Sequence, residues 1–404
     1  MSRRAVALEP VRRVTDTERR SRIGVRHALA GGHRRGTVEG VAEAMTVLHA
    51  TDPASIHLAC WARATRVERE DVDRALEVDR TLVRQLSMRQ TLFATPRDLL
   101  AAVWGSVCVR VVRSHLLRLL RDLDRGGPLG PGRGAEWLEL ACAAVMAQLA
   151  DGDAISAREL ASRVPAVAGS VTVNPGTKWG GTFPLAPRVL SQLHLQARVS
   201  RAGNAAPWPR SRPLWTTTGH WLGEPPQPSA PRQGWAELVR RWLWTFGPGT
   251  VEDLRWWLGT TKSIAREALA DVGAVPVQLD DGAIGWLRPD DQEPVPSPEP
   301  WVALLPVLDP SVMGWTGRGF YLGPHRHRLF DAVGNAGTTA WVNGRAVGAW
   351  AQDADGVVRL GLLEDVGAAA LLALTAEAAR LTEWLSGLRA FAMNPSAGVV
   401  DAAR

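Results

Sequence analysis

The sequence predicts an α+β chain, mainly α: several small helical units in tandem, closed by a domain richer in strands. Three observations predict it. The chain has 404 residues, too many for one small core and enough for three or four units of about 100 residues each, and its 46% hydrophobic content is ample for real cores. The stretch from Trp235 to Pro289 reads as three short helices followed by a hairpin. The last hundred residues change character, to apolar strands and one long helix. Helix, short helix, helix, hairpin is the winged-helix order, in which the third helix can enter a major groove while the wing touches backbone or minor groove.

Residues 1–20 are expected as a basic flexible arm. Met1 to Arg35 holds ten arginines against Glu9, Asp16 and Glu18, and nothing up to Val14 has core periodicity. Thr15 with Glu18 has capping-box spacing for a helix to about Ala30, which exposes Arg19, Arg20, Arg22 and Arg26. Arg19, Arg22 and Arg26 are candidate phosphate contacts, against the plainer reading of a solvated helix face. Thr37 can cap a helix whose Val38, Val41, Ala42, Met45 and Leu48 make one apolar stripe. In the next turn, Asp before Pro53 reads as the N-cap of a helix from Ala54 to Arg63, while His49 and Thr51 carry no such obligation. Glu70 to Leu86 is amphipathic and read as helix, Arg89 to Thr95 as a strand closed by Pro96, and Arg97 to Arg125 as a long helix. Residues 21–130 are thereby a first winged-helix unit.

After the glycine-rich linker, residues 131–225 form the second unit. Its helices are Trp137 to Leu149, Ser156 to Val164 and Leu185 to Arg198, and a Pro- and Trp-rich wing runs from Val199 to Trp221. No Asp or Glu occurs from Leu160 to Gly223, whereas Arg163, Lys178, Arg188, Arg198, Arg201, Arg210 and Arg212 do, among five large aromatics. Such a one-signed block with interleaved Trp is the footprint of a phosphate-tracking surface. Composition supplies a blander account, since only two of the 47 basic residues are lysine and arginine is simply abundant. The third unit, 226–295, has Trp235 to Phe246 stopped by Gly247-Pro248-Gly249, a helix capped by Thr250, another capped by Thr260 or Thr261, and strands around Asp280-Asp281-Gly282. Residues 296–404 are the α+β domain: a strand at Trp301 to Val307, a hairpin around Asn343-Gly344, a strand at Val357 to Leu362 and a helix from Val366 to Leu388. Arg326 and Arg328, within His325-Arg326-His327-Arg328, are candidate phosphate contacts. No neighbouring carboxylate or cysteine in sequence completes a metal site there.

Cys60, Cys108 and Cys142 are too few and too scattered for a disulfide framework or zinc site, so a cytoplasmic, nucleoid-associated protein is expected. Arg110 and Arg113 interrupt the most membrane-like run, Leu99 to Leu120, and no membrane association is expected. Walker, G-x-S-x-G, H-E-x-x-H and C-x-x-C motifs are absent.

Taken with the tandem units, the stretches Leu48 to Pro53, Leu304 to Asp309 and Trp341 to Trp350 resemble the AlkZ-type winged-helix DNA glycosylases over roughly Ser21 to Leu388. The resemblance implies three tandem winged helices and a β-containing C-terminal domain around duplex DNA. It also implies removal of alkylated purines, including bulky adducts and crosslinks, without a metal or cofactor. The family's catalytic signature, Gln, an apolar residue, then Gln or Asp, falls on Leu48 to Asp52. This sequence departs from it, with His49 at the first position and Thr51 at the second. By that correspondence His49, Thr51 and Asp52 are the candidate catalytic residues: His49 to orient or deprotonate a water, Thr51 to hold it, Asp52 to offset positive charge on the sugar. The plain alternative for His49 is a histidine bonding the last carbonyls of a helix. The expected partner is double-stranded, damaged DNA bound by a monomer. A non-catalytic DNA-binding protein, regulator or damage binder, on the same scaffold is the alternative function.

Overall fold

The computed structural model describes residues 9–174, 176–177, 180–390 and 396–402, in a mixed α/β fold. Met1 to Leu8 of the expected arm and Lys178 lie outside the described residues. The chain divides into two units, one made of Met1–Ala75 with Trp235–Arg404 and the other of Leu76–Gly234. This division cuts across the five segments expected from sequence.

In the first unit, Arg13–Val14 (β1) runs parallel to Gln278 and Leu279, and Val14 is fully buried with Val277, Leu279 and Leu287. Arg12 grips Glu18 through both terminal nitrogens, at 2.7 and 2.6 Å. The expectation of a mobile arm up to Val14 is therefore corrected for its described part: one apolar side chain and one ion pair anchor it. Thr15 caps Asp16–Arg26 (α1), its hydroxyl accepting from Glu18 N, and Thr37 caps Val38–Met45 (α2) in the same way. Leu48–His49 (β2) is extended and leads into Pro53–Arg63 (α3), in which every residue from Ala54 to Arg63 is buried. A helix with no solvated face is a core element. A short helix, Arg69–Asp73 (α4), follows.

The second unit corrects the helix expected over Glu70 to Leu86. Arg80 takes a left-handed φ of 56°, which ends the helical run, and Leu82–Leu86 (β3) pairs antiparallel with Leu92–Pro96 (β4). Alternation in β3 from Val83 on, with Val83 and Gln85 buried between half-buried Arg84 and Leu86, is what a helical count misreads over so short a run. Helical structure from Arg97 to Gly126, including Val109–Gly126 (α5), is long and apolar enough to cross a membrane by length and composition, but more than half of its most apolar window is buried in the protein. Leu119 and Leu123 share a core with Trp137, Leu138, Ala141 and Val145 of Gly134–Gln148 (α6). The same core takes Leu160 of Ala157–Arg163 (α7) and Val189, Leu190 and Leu193 of Leu185–Leu195 (α8). The wing is present as Val199–Asn204 (β8) against Pro213–Thr217 (β9), with the further strands Ile155–Ser156 (β5) on β9 and Ser170–Val173 (β6) paired to Gly181–Pro184 (β7).

Returning to the first unit, Pro231–Phe246 (α9), Val251–Leu258 (α10) and Lys262–Val272 (α11) precede the hairpin of Val275–Leu279 (β10) and Ile284–Leu287 (β11). Thr250 and Asp253 make a complete capping box, Gly259 stops α10 at a φ of 64°, and Thr261 caps α11. Val302–Leu305 (β12), Thr339–Val342 (β13), Arg345–Gln352 (β14) and Val358–Leu362 (β15) form an antiparallel sheet in that order, followed by Ala368–Leu385 (α12). Asn343 and Gly344 both adopt positive φ, as a two-residue hairpin turn requires, and a side chain at Gly344 would collide with the backbone of Arg20.

Candidate active site

Three separate stretches converge on α3. Asp52 is its N-cap, and all three hydrogen bonds to the carboxylate end on one oxygen: Ala54 N at 3.0 Å, Ser55 N at 3.2 Å and Ser55 Oγ at 3.4 Å, all to Oδ1. Oδ2 has no partner among the described residues. Ser55 Oγ also donates to Val307 O at 2.8 Å, and at the far end of α3 Arg63 holds Asp309 through paired bonds of 2.9 and 2.6 Å. The loop after β12 is thus clamped along the helix that carries Asp52. From the other side of that loop, Trp350 Nε1 donates to Leu305 O at 2.8 Å.

The Arg63–Asp309 pair is fully buried and would be costly alone. It is embedded in a polar chain. Arg63 Nη2 donates to Ser311 Oγ, which lies 2.7 Å from His27 Nδ1, while His27 Nε2 is 3.1 Å from Thr245 O. A carbonyl can only accept, so Nε2 carries the ring proton and Nδ1 accepts from Ser311. Burial first, and then the charge of Arg63, lower the pKa of His27 to about 3, which keeps the ring neutral and this order of donors fixed. Thr46 and Thr245 continue the chain to Ala44 O, so the end of α2 is bound into it as well. The turn between α2 and α3 is consequently held at both ends by hydrogen-bonded polar groups.

Within the turn, His49 is buried at 6% exposure and its Nδ1 accepts from Thr51 N at 3.4 Å, whereas Thr51 is exposed. Nδ1 thus serves the turn itself. Burial raises the Asp52 carboxyl above its ordinary value, opposed by the bonds from Ala54 and Ser55. One helical turn on, His57 spans Pro53 O at 3.2 Å and Asp73 Oδ1 at 2.9 Å. Sequence reading missed Ser55, His57 and Arg63. Besides local bonds, they find Val307, Asp73 and Asp309 through the fold, and Val307 and Asp309 lay in Leu304 to Asp309, a stretch already singled out.

The expected DNA-contacting arginines fall into two groups. Those of α1 are not exposed, contrary to expectation. Arg22 is 2% exposed and committed to Glu18 at 3.1 Å, Asp291 Oδ2 at 2.7 Å, and the carbonyls of Asp291 and Glu293. Arg19 lies over the Phe320 ring at 3.5 Å, and Arg26 bonds Asp291 while covering Trp244 at 3.6 Å. In the second unit, Arg198, Arg210 and Arg212 are exposed and Arg201 is half-buried over Trp215. Burial, then Arg84, lower Arg201 to about 10. Arg188 bonds Asp122 at 3.0 Å. Arg326 is exposed and Arg328 pairs with Asp401. A carboxylate does stand beside His325, correcting the sequence expectation: Glu364, at 2.9 Å, brought there by the fold and shared with Arg345.

A family model described as DNA glycosylase AlkZ-like matches residues 42–384. Among solved structures, Streptomyces sahachiroi DNA glycosylase AlkZ is similar with a TM-score of 0.70 and 19% identity, over 93% of this chain and 98% of that one. At that identity the likeness speaks for the fold. No curated protein matches the chain.

Proposed function

Because this chain belongs to the AlkZ-like DNA glycosylase family, and so to enzymes of DNA repair, we propose that it hydrolyses the N-glycosidic bond of alkylated purines in duplex DNA, as a monomer, with Asp52 as its central group. Three tandem winged helices around the duplex are part of the same reading, supported by the helix–helix–helix–hairpin order of α9 to β11. A purine alkylated at N7 or N3 is cationic and leaves readily, so the protein's task is to place a water at C1′ and to tolerate an oxocarbenium-like sugar. The water oxygen bonds C1′ as the C1′–N bond breaks. The base departs neutral, and the water's proton passes to the carboxylate. The observation that carries this is the split use of Asp52: Oδ1 caps α3 and Oδ2 is left over. A raised pKa makes the group a better base than an ordinary aspartate. The exposed Thr51 hydroxyl is a second ligand for the water. His49, whose Nδ1 accepts the Thr51 amide, positions the turn.

Asp52→Asn tests this, because asparagine caps a helix as well as aspartate and removes only the charge. Release of free base from duplexes carrying N7-alkylguanine, N3-alkyladenine or a crosslink should fall about a hundredfold or more, with thermal melting nearly unchanged. His49→Ala should lower the rate by a comparable factor with little loss of DNA affinity. Full activity in Asp52→Asn would remove the carboxylate from the mechanism. Wild-type protein that binds all three duplexes and releases no base would establish the non-catalytic alternative, to which the His49 and Thr51 departures from the Gln signature point.

A further inference from the structure

The first unit contains a hollow of about 570 Å³ that none of the residues discussed as DNA contacts lines. Its walls are Arg35, Gly40, Glu43 and Ala44 at α2, Arg240, Arg241 and Trp244 on α9, and Arg288 with Asp290 after β11. Four guanidiniums face two carboxylates here. Arg288 pairs with Asp290, and Arg240 and Arg241 share Glu237, which lies on α9 one turn before them. Arg35 alone of the four has no carboxylate partner among the described residues. Trp244 fixes part of the wall: Arg288 lies 5.0 Å from its ring centroid and Arg26 3.6 Å.

The carboxylates offset the charge of the other three, but the charge of Arg35 stands beside them without its own, and a bound anion would offset it. The Arg240–Glu237 pair is partly exposed, at 44% and 32%, and worth little, so a phosphate can take a share of the Arg240 donors at small cost, and arginine's planar fork suits phosphate oxygens. A single phosphate would not fill the space. Its volume is that of a ligand site, open enough for a segment of strand. Ala44 of the wall belongs to α2, the helix that leads directly into the His49–Asp52 turn, so a strand seated here is tied to the turn through one rigid element.

We propose that this hollow is a backbone-phosphate subsite for a DNA strand, with Arg35 and Arg240 as its donors; the proposal rests on the glycosylase reading above. The test is the salt dependence of binding to a labelled duplex, followed by fluorescence anisotropy from low to high KCl. Each lost phosphate contact removes about 0.9 from the log-log slope, so Arg35→Gln should flatten it by about that amount and Arg35→Gln with Arg240→Gln by about twice as much. Arg66→Gln, which removes the same charge from a side chain that is 90% exposed and outside the hollow, should leave the slope unchanged and controls for net charge. Melting with inorganic phosphate distinguishes a site for a free anion. Stabilisation of the wild type that Arg35→Gln abolishes, with the DNA slope intact, would overturn the strand assignment. Equal slopes for wild type, Arg35→Gln and the double variant overturn the subsite while leaving the glycosylase reading standing. A wild type that binds no duplex at any salt overturns both.

Discussion

The helix α1 and the hairpin β8–β9 each carry a row of arginines, and the fold places the two rows in opposite surroundings. In α1 every candidate is committed: Arg22 to Glu18 and Asp291, Arg26 to Asp291 and the Trp244 face, Arg19 to the Phe320 ring. Around β8–β9, Arg198, Arg210 and Arg212 stand in solvent within a stretch that has no acid at all. What separates them is not the density of positive charge but the carboxylates within reach. Asp291 reaches α1 from far along the chain and turns would-be phosphate contacts into a buried clamp. An arginine row buried against acids in this way is a structural clamp, whatever its charge density suggests.

The largest expected effect lies in that clamp. Asp291→Ala takes the shared carboxylate from two guanidiniums, one of them 2% exposed, and removing one partner of a buried pair typically costs about 3–5 kcal/mol. Urea unfolding of the variant should show a loss of that order, and the salt slope of DNA binding should not move. A stability change under about 1 kcal/mol, the scale of exposed pairs, would break the contrast between the two rows.

Local signals in the sequence were strong wherever the governing interaction was local. Thr15, Thr37, Ser156, Thr250 and Thr261 each cap the helix their spacing announced, and Asp52 does so at the candidate site. Asn343-Gly344 makes its hairpin. The failures share one cause, a partner outside the segment being read, whether the next strand or a residue far along the chain. Leu82 to Leu86 became a strand because Leu92 to Pro96 pairs with it, Arg22 became buried because Asp291 meets it, and His325 gained Glu364 in the same way. The turn at His49 to Asp52 was found by resemblance. Its split carboxylate, its clamp through Ser55 and Arg63, and the hollow at Arg35 could not be read from spacing.

Each arginine row is flanked by one buried histidine, and these sharpen the comparison at the next scale of energy. His27 is the C-cap of α1 and His194 lies in the last turn of α8, just before β8. Burial, then Arg63, takes His27 to about 3; burial, then Arg201, takes His194 to about 4. His194 accepts from Leu86 N at 3.0 Å and donates to Val199 O at 2.9 Å, an arrangement that needs the neutral ring, as at His27. Both folded pKa values lie below the unfolded one of about 6.5. As pH falls through 6.5 the unfolded chain takes up protons that the folded chain refuses. Stability is therefore full above that pH and declines below it, down to the folded values. At about 1.4 kcal/mol per unit, the decline between pH 6.5 and 5 is about 2 kcal/mol for each histidine. His27→Gln and His194→Gln should each flatten the pH dependence of unfolding over that window, whatever they do to stability at pH 7. Curves parallel to the wild type would show that the ring in question titrates in the folded protein.

The smallest effect on stability, and the sharpest test of the contrast, belongs to the hairpin row. Arg198, Arg201, Arg210 and Arg212 replaced together by Gln should cost little in melting temperature from the three exposed positions, since surface substitutions usually stay within about 0.5 kcal/mol. Arg201 is the exception inside the set: it is half-buried over Trp215 and its charge is already disfavoured there, so a neutral side chain relieves part of what it loses in packing. Binding should respond far more. If the row tracks backbone phosphates, the log-log salt slope falls by about 0.9 for each contact removed, and undamaged and alkylated duplexes lose affinity alike, because phosphate contacts carry no information about the base. The single variant Arg22→Gln is the matched comparison from α1, expected to destabilise the fold and leave the slope alone. Should the hairpin variant keep the wild-type slope, solvent exposure and freedom from acid would not suffice to make an arginine row a DNA surface, and the contact surface of this protein would have to be sought on the first unit, around Arg35.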